Sequence, residues 1–324
     1  MRALGISRLT ISALVVACIP HAWPQPKITA VANAASFQSG LPSGGSLATL
    51  FCSGLGNVKT GTYLAPSLPL PYTLGGLTVA INGVPAPLLA AVVTQSGQAA
   101  SAQINFQVPL ERNVSLFDQY TGLLEACGTV LTLHPTHDSG DPATVYPPTW
   151  GGFFGDTNRY AVAQHGSDFS QVTPQNPAHP GETVVAYGDD FFPVWPPPPL
   201  GFPTPSQPLF QLTLVPTYPL PFAPLFIGGG SDAYLYLQDY PVPCNFPSQQ
   251  PCSFTNTPAL SVTFEGLAPG QIGVEQINFV IPASQGAGDW ALFFNHGSCP
   301  DGNPTPFRCG LNGSSGPYVK LPVR

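Results

Sequence analysis

Gln103-Ile-Asn-Phe-Gln-Val-Pro109 and Gln276-Ile-Asn-Phe-Val-Ile-Pro282 are near-copies of one heptapeptide. In the first copy the polar Gln103, Asn105 and Gln107 alternate with the apolar Ile104, Phe106 and Val108. That period of two sets one face of a strand in a core and the other toward solvent. Upstream of each copy lies a second matching stretch: Gly45-Ser-Leu-Ala-Thr-Leu-Phe-Cys-Ser-Gly54 aligns with Gly181-Glu-Thr-Val-Val-Ala-Tyr-Gly-Asp-Asp190. The heptapeptides lie 173 positions apart and the upstream stretches 136, so the second repeat carries about 37 additional residues between them. A repeat this long is a duplicated domain, because solenoid units recur at roughly 20 to 50 residues.

The remaining strands read in the same way. Leu47 to Phe51 and Thr183 to Tyr187 are short apolar runs of the kind a sandwich interior takes. Leu77-Thr-Val-Ala-Ile81 runs into Asn82-Gly83, the pair that favours a tight hairpin turn with positive φ. Asp289-Trp-Ala-Leu-Phe-Phe294 and Pro317-Tyr-Val-Lys-Leu-Pro-Val323 supply closing strands, and no stretch has an apolar period of 3.6. Composition agrees: 41 prolines and 34 glycines among 324 residues punctuate many short elements, and charged residues are only 8%. The chain is nonetheless 43% apolar, with 20 Phe, 11 Tyr and 4 Trp, unlike a disordered chain of low hydrophobicity and high charge. The expectation is an all-β protein of two tandem β-sandwiches. Nine basic against sixteen acidic residues argue against nucleic acid or an anionic membrane surface as partner.

Residues 1–25 read as an export signal: Arg2 and Arg8 precede the short apolar core Leu9-Thr-Ile-Ser-Ala-Leu-Val-Val-Ala17, and a polar, Pro-containing stretch follows. That core is too short to span a bilayer, and no other segment suggests a transmembrane helix. Val15-Val-Ala-Cys18 resembles a bacterial lipobox, so Cys18 is a candidate for lipidation, and a secreted protein and an envelope lipoprotein anchored at Cys18 both stay open. Six further cysteines remain: Cys52, Cys127, Cys244, Cys252, Cys299 and Cys309. An even number in an exported chain points to disulfides. Fifteen connectivities exist; proximity favours Cys244–Cys252 and Cys299–Cys309, which leaves Cys52–Cys127. No C-x-x-C pair supports a zinc site.

Several segments together resemble a known family: Asn33-Ala-Ala-Ser-Phe37, the stretch Gly45 to Leu55, Leu74-Gly-Gly-Leu-Thr-Val-Ala-Ile-Asn-Gly83, Pro85-Ala-Pro-Leu-Leu89 and the heptapeptide at 103–109. Asn176-Pro-Ala-His-Pro-Gly-Glu182 and Gly266-Leu-Ala-Pro-Gly270 belong to the same pattern. The chain resembles, over roughly residues 28 to 324, the uncharacterised C-terminal domain family of secreted acidobacterial proteins first noted in Solibacter, which is similar to immunoglobulin-like IPT/TIG modules. It departs from that pattern at Cys52, where Gly is usual, in the expanded segment after Pro193, and in a Cys-bearing loop between the last two strands. The resemblance implies immunoglobulin-like sandwiches at 26–149 and 175–324, joined by a linker at 150–174, with an insertion at about 193–257. It implies no activity.

That insertion is the most distinctive stretch. Phe191-Phe-Pro-Val-Trp-Pro-Pro-Pro-Pro-Leu-Gly-Phe-Pro203 contains four consecutive prolines, which favour a stiff polyproline rod. Trp195, Phe202, Tyr218, Phe222, Tyr234 and Tyr236 form a candidate binding surface, since exposed aromatic patches mark interaction sites; the plainer reading is a long loop packing its own aromatics over the sandwich. His134-Pro-Thr-His-Asp-Ser-Gly-Asp141 gathers possible metal ligands, but in a Pro- and Gly-bearing loop that reads as a solvated turn. Asp189-Asp190 could pair with Glu265 or Glu275 for hydrolytic chemistry or hold calcium; at a strand end, a polar turn is the simpler reading. Asp301-Gly-Asn303 is a similarly weak calcium pattern. No nucleophile elbow, zinc-protease motif, P-loop or dinucleotide fingerprint occurs, so no catalytic residue, cofactor or metal is assigned. The expectation is a non-enzymatic extracytoplasmic protein used for adhesion, envelope association or the binding of polysaccharide or protein, with a polysaccharide or an envelope protein as its partner. A hydrolase and an architectural spacer are the alternatives.

Overall fold

The computed structural model describes residues 26–56, 58–96, 99–110, 122–133, 152–191, 200–207, 233–239, 260–296 and 318–324. The export segment with Cys18, Trp195, Tyr218, Phe222, the four cysteines from Cys244 to Cys309, the His134–Asp141 loop and Asp301–Asn303 lie outside them. Among the described residues there is no helix, and the strands form four antiparallel sheets, consistent with β-sandwich packing.

Among the described residues, the strands of the N-terminal half are β1 (Lys27–Asn33), β2 (Leu47–Ser53), β3 (Gly61–Leu64), β4 (Val79–Ile81), β5 (Val84–Pro85), β6 (Leu88–Ser96), β7 (Ala99–Gln107), β8 (Gly122–Ala126) and β9 (Thr129–Leu133). One sheet runs β1-β2-β7-β6-β3 and the other β5-β4-β8-β9. Between them, Val31, Leu50, Ile104 and Phe106 of the first sheet share a core with Val79, Ile81 and Leu124 of the second. Cys52 and Cys127 form a disulfide linking the two sheets, with Cα atoms 6.5 Å apart. Asn82 (φ 50°) and Gly83 (φ 76°) make the expected tight turn, closing β4 onto β5 with Ile81 opposite Val84.

The C-terminal half comprises β10 (Gly152–Phe153), β11 (Ala163–His165), β12 (Thr183–Asp189), β13 (Ala233–Asp239), β14 (Ser261–Leu267), β15 (Glu275–Val280), β16 (Gly288–His296) and β17 (Val319–Val323). One sheet runs β10-β12-β15-β14, with β11 also on β12, and another β13-β16-β17. Val184, Ile277 and Phe279 face Leu292, Val319 and Leu321 in a second core. The stretch at 150–174 is more than a bridge: it supplies β10 and β11, and Phe153, Ala161, Ala163 and Val172 are buried in this core. The expanded segment likewise supplies a strand, β13, paired with β16.

The duplication reaches the backbone register. Thr49 lies opposite Asn105 and Val185 opposite Asn278, and the equivalent positions match along the strands, from Leu47–Gln107 and Thr183–Val280 to Cys52–Ala102 and Gly188–Glu275. Even an irregularity is repeated. The β6–β7 ladder slips between Leu88 and Ala90 and the β14–β15 ladder between Val262 and Phe264, opposite equivalent residues. A bulge of this kind bends a strand and strengthens its twist.

Candidate functional site

Asp189 closes β12, and Asp190 follows it in a left-handed conformation, φ 60°. The sequence reads this pair as a polar turn, but both side chains are buried, because the strand end abuts the N-terminal half. Asp189 Oδ2 accepts a hydrogen bond from the Leu47 amide at 2.9 Å, and Asp190 Oδ1 accepts one from the Ser43 amide at 3.0 Å. Glu275 on β15 is buried beside them, its Oε2 accepting from the Phe191 amide at 2.9 Å. Glu265, on the neighbouring β14, completes the group.

Two glycines let backbone meet backbone at this seam. A Cβ on Gly152 would lie 2.6 Å from Ser36 Cβ, and one on Gly273 (φ 63°) 2.8 Å from the Gly45 carbonyl oxygen. Such approaches admit no side chain. Among the described residues, two buried polar atoms lack a hydrogen-bond partner, Asp189 Oδ1 and Asn33 Nδ2, while the Ser46 hydroxyl and the Asp190 amide also act on the Asp189 carboxyl. Asn33 Oδ1 is committed to the Ala35 and Ser36 amides, which fixes the side-chain amide's orientation.

Burial, then the charge of Asp190, holds the Asp189 carboxyl well above the ordinary carboxylate range. Glu275 is raised by burial and then by Asp189 and Asp190, and burial pushes Glu265 up to about 7. The structure therefore does bring together the carboxylates that the sequence suggested as a pair. It puts Asp189 at 0% and Glu275 at 2% exposure, with their oxygens turned to backbone amides rather than to an open face. Among the described residues, no three His, Cys, Asp or Glu side chains are grouped to hold a metal ion.

A second, exposed region lies where the Pro- and aromatic-rich segment returns to the described part of the chain. Gly201 is clamped between the halves of a polar pair: its amide donates to Gln107 Oε1 at 2.8 Å, and its carbonyl accepts from the Leu70 amide at 2.8 Å. Gln107, expected on the solvent face of its strand, is therefore fully buried, with Nε2 donating to the Gly45 carbonyl. Thr204 continues the clamp, donating to the Gln271 carbonyl and accepting from the Gly270 amide. Within two residues of the Gly201–Leu70 bond stand exposed apolar side chains: Leu68 at 56%, Tyr72 at 50% and Phe202 at 49%. Of the six aromatic candidates, Phe202 is thus exposed and Tyr234 and Tyr236 lie on β13.

Sequence reading missed two further clusters. His165 Nδ1 lies 3.0 Å from Glu182 Oε1 and its Nε2 3.3 Å from the Asn176 carbonyl, so both ring nitrogens face acceptors. At the other end of that unit, Lys320 stands 4.0 Å over the Tyr160 ring and Arg159 4.5 Å over Tyr318, while Tyr160 donates to Asp289. Only the fold unites these distant residues. Comparison of the chain with family models, curated proteins and solved structures gave no match in any of the three.

Proposed function

We propose that this is a non-enzymatic extracytoplasmic protein of two tandem immunoglobulin-like modules that binds polysaccharide or a cell-envelope protein through the surface around Phe202. The carrying observation is the apolar group Leu68, Tyr72 and Phe202, held out from a hydrogen-bonded base at Gly201. Flat aromatic side chains on a rigid support stack on sugar rings and anchor protein interfaces. Trp195, in the Pro-rich stretch that precedes Leu200 in the sequence, stays a candidate for the same function on sequence grounds. The acidic balance of the chain and its low charge favour a neutral ligand over nucleic acid. The reading of residues 1–25 supports export, with secretion or lipid anchoring at Cys18 as the two fates.

The test is co-sedimentation of the mature protein with insoluble polysaccharides and envelope fractions, beside a Tyr72→Ala/Phe202→Ala variant. Loss of at least about tenfold in affinity, equivalent to about 1.4 kcal/mol, with an unchanged circular dichroism spectrum, supports the reading. Equal binding by both proteins moves the site elsewhere, and binding by neither favours the architectural alternative.

A further inference from the structure

The seam carboxylates are not required by the strand architecture. Ser53, Gly54 and Ala102 occupy the N-terminal positions equivalent to Asp189, Asp190 and Glu275, on strands paired in the same register. At these three positions the second repeat has thus buried acidic groups where the first has none. Among the described residues, the segments next to Asp189 and Glu275 bring no compensating charge: Ser43-Gly-Gly-Ser-Leu47 and Ala268-Pro-Gly-Gln-Ile-Gly-Val274 contain no ionisable side chain. The charged groups acting on Asp189 and Glu275 are themselves acidic, namely Asp190 on the Asp189 strand end and Glu265 on β14. No ion pair among the described residues involves Asp189 or Glu275. Burying an unpaired carboxylate is far more costly than burying its neutral acid. The donors to the Asp189 carboxyl are all neutral, the Leu47 and Asp190 amides and the Ser46 hydroxyl, and its buried Oδ1, left without a partner in the hydrogen-bond geometry, is where a proton can sit while Oδ2 keeps the Leu47 amide.

We propose that the seam between the two halves is a proton-held latch, in which Asp189 and Glu275 are buried as neutral acids and opening exposes them to water, where each ionises and releases its proton. The docked form then holds more protons than the open form. Docking is strongest in acid and weakens as pH rises from the ordinary carboxylate range through the raised values of the docked state. The limit is about tenfold per pH unit for each proton released.

The test uses the whole chain and an Asp189→Asn/Glu275→Gln variant, which keeps the acceptors but cannot titrate at these positions. We expect the wild-type urea midpoint to fall from pH 5 to pH 9 and the variant's to fall less, since histidines and other groups contribute equally to both. Exchange of the Ser43 and Leu47 amides, corrected for its intrinsic pH dependence, should accelerate with pH in the wild type only. Should the variant not fold, carbon-13 titration of wild-type carboxyls decides, with Asp189 and Glu275 expected to titrate above pH 6. Titration of both near 4 overturns the latch and means that neutral donors such as the Ser46 hydroxyl suffice to hold the charged form. Equal pH slopes in the two proteins overturn it as well. A midpoint at pH 8 that calcium raises and a chelator lowers replaces the proton with a cation.

Discussion

Glu265 lies opposite Ile277 on β14, half shielded from water, and its carboxyl is raised to about 7 by loss of hydration. The sign follows from linkage: a group raised in the folded state stabilises most when it is protonated in both states. That contribution is full below pH 4.5 and drains away as pH rises through 7. Glu265→Gln should therefore raise stability at pH 8 relative to the wild type, on the order of 2 kcal/mol, and change it little at pH 4. Chemical denaturation at the two pH values checks this; a variant destabilised equally at both would show that Glu265 acts by packing. At this scale the sequence was partly legible. The Asp189-Asp190 doublet is visible in it, and so is the equivalence with Ser53-Gly54. What it conceals is burial, because whether a strand end meets solvent or another sheet depends on contacts between residues about 140 positions apart.

Strands carry the repeat more faithfully than residues do. Phe106 and Phe279 sit at equivalent positions, each fully buried at the centre of its core. Truncating either to Ala should cost about 3–5 kcal/mol, from lost transfer energy and the cavity left behind. Parallel thermal melts of the two variants would test whether the cores are equally rigid; a loss below 1 kcal/mol in one would mean that core collapses around the gap. The heptapeptides that contain these residues were readable by eye because alternation and identity coincide there. The opening strand of the second repeat was not. Asn33-Ala-Ala-Ser-Phe37 and His165-Gly-Ser-Asp-Phe169 share little beyond the final Phe, yet the two phenylalanines have φ of 55° and 59°. Their amides donate to the Asn33 and His165 carbonyls alike, at 3.0 and 2.9 Å. Backbone hydrogen bonds define that turn and leave the side chains free to diverge, so a stretch that reads as a linker supplies β10 and β11.

For the whole molecule, the Cys52–Cys127 disulfide closes a loop of 75 residues across the N-terminal core. Chain entropy gives such a closure about 4 kcal/mol. Cys52→Ala/Cys127→Ala should lower the thermal midpoint by several degrees, read by calorimetry under non-reducing conditions. An unchanged midpoint would show that the sheets dock without it. The repeat also supplies a comparison within one chain, since Gly188 stands where Cys52 does and the second core has no cross-link at that position.

The seam glycines have a consequence for how such sequences diverge. Gly152 is fixed by the neighbouring half, through Ser36, whereas Gly273 is held both by Gly45 across the seam and by its own left-handed backbone. Mutational drift is therefore closed to Gly152 for as long as the two halves stay docked, and opens once docking is lost, while Gly273 stays constrained either way. Among descendants of the same ancestral chain, a bulky residue at the Gly152 site would mark a lineage whose halves have come apart, and a glycine kept there one in which they still travel as a unit.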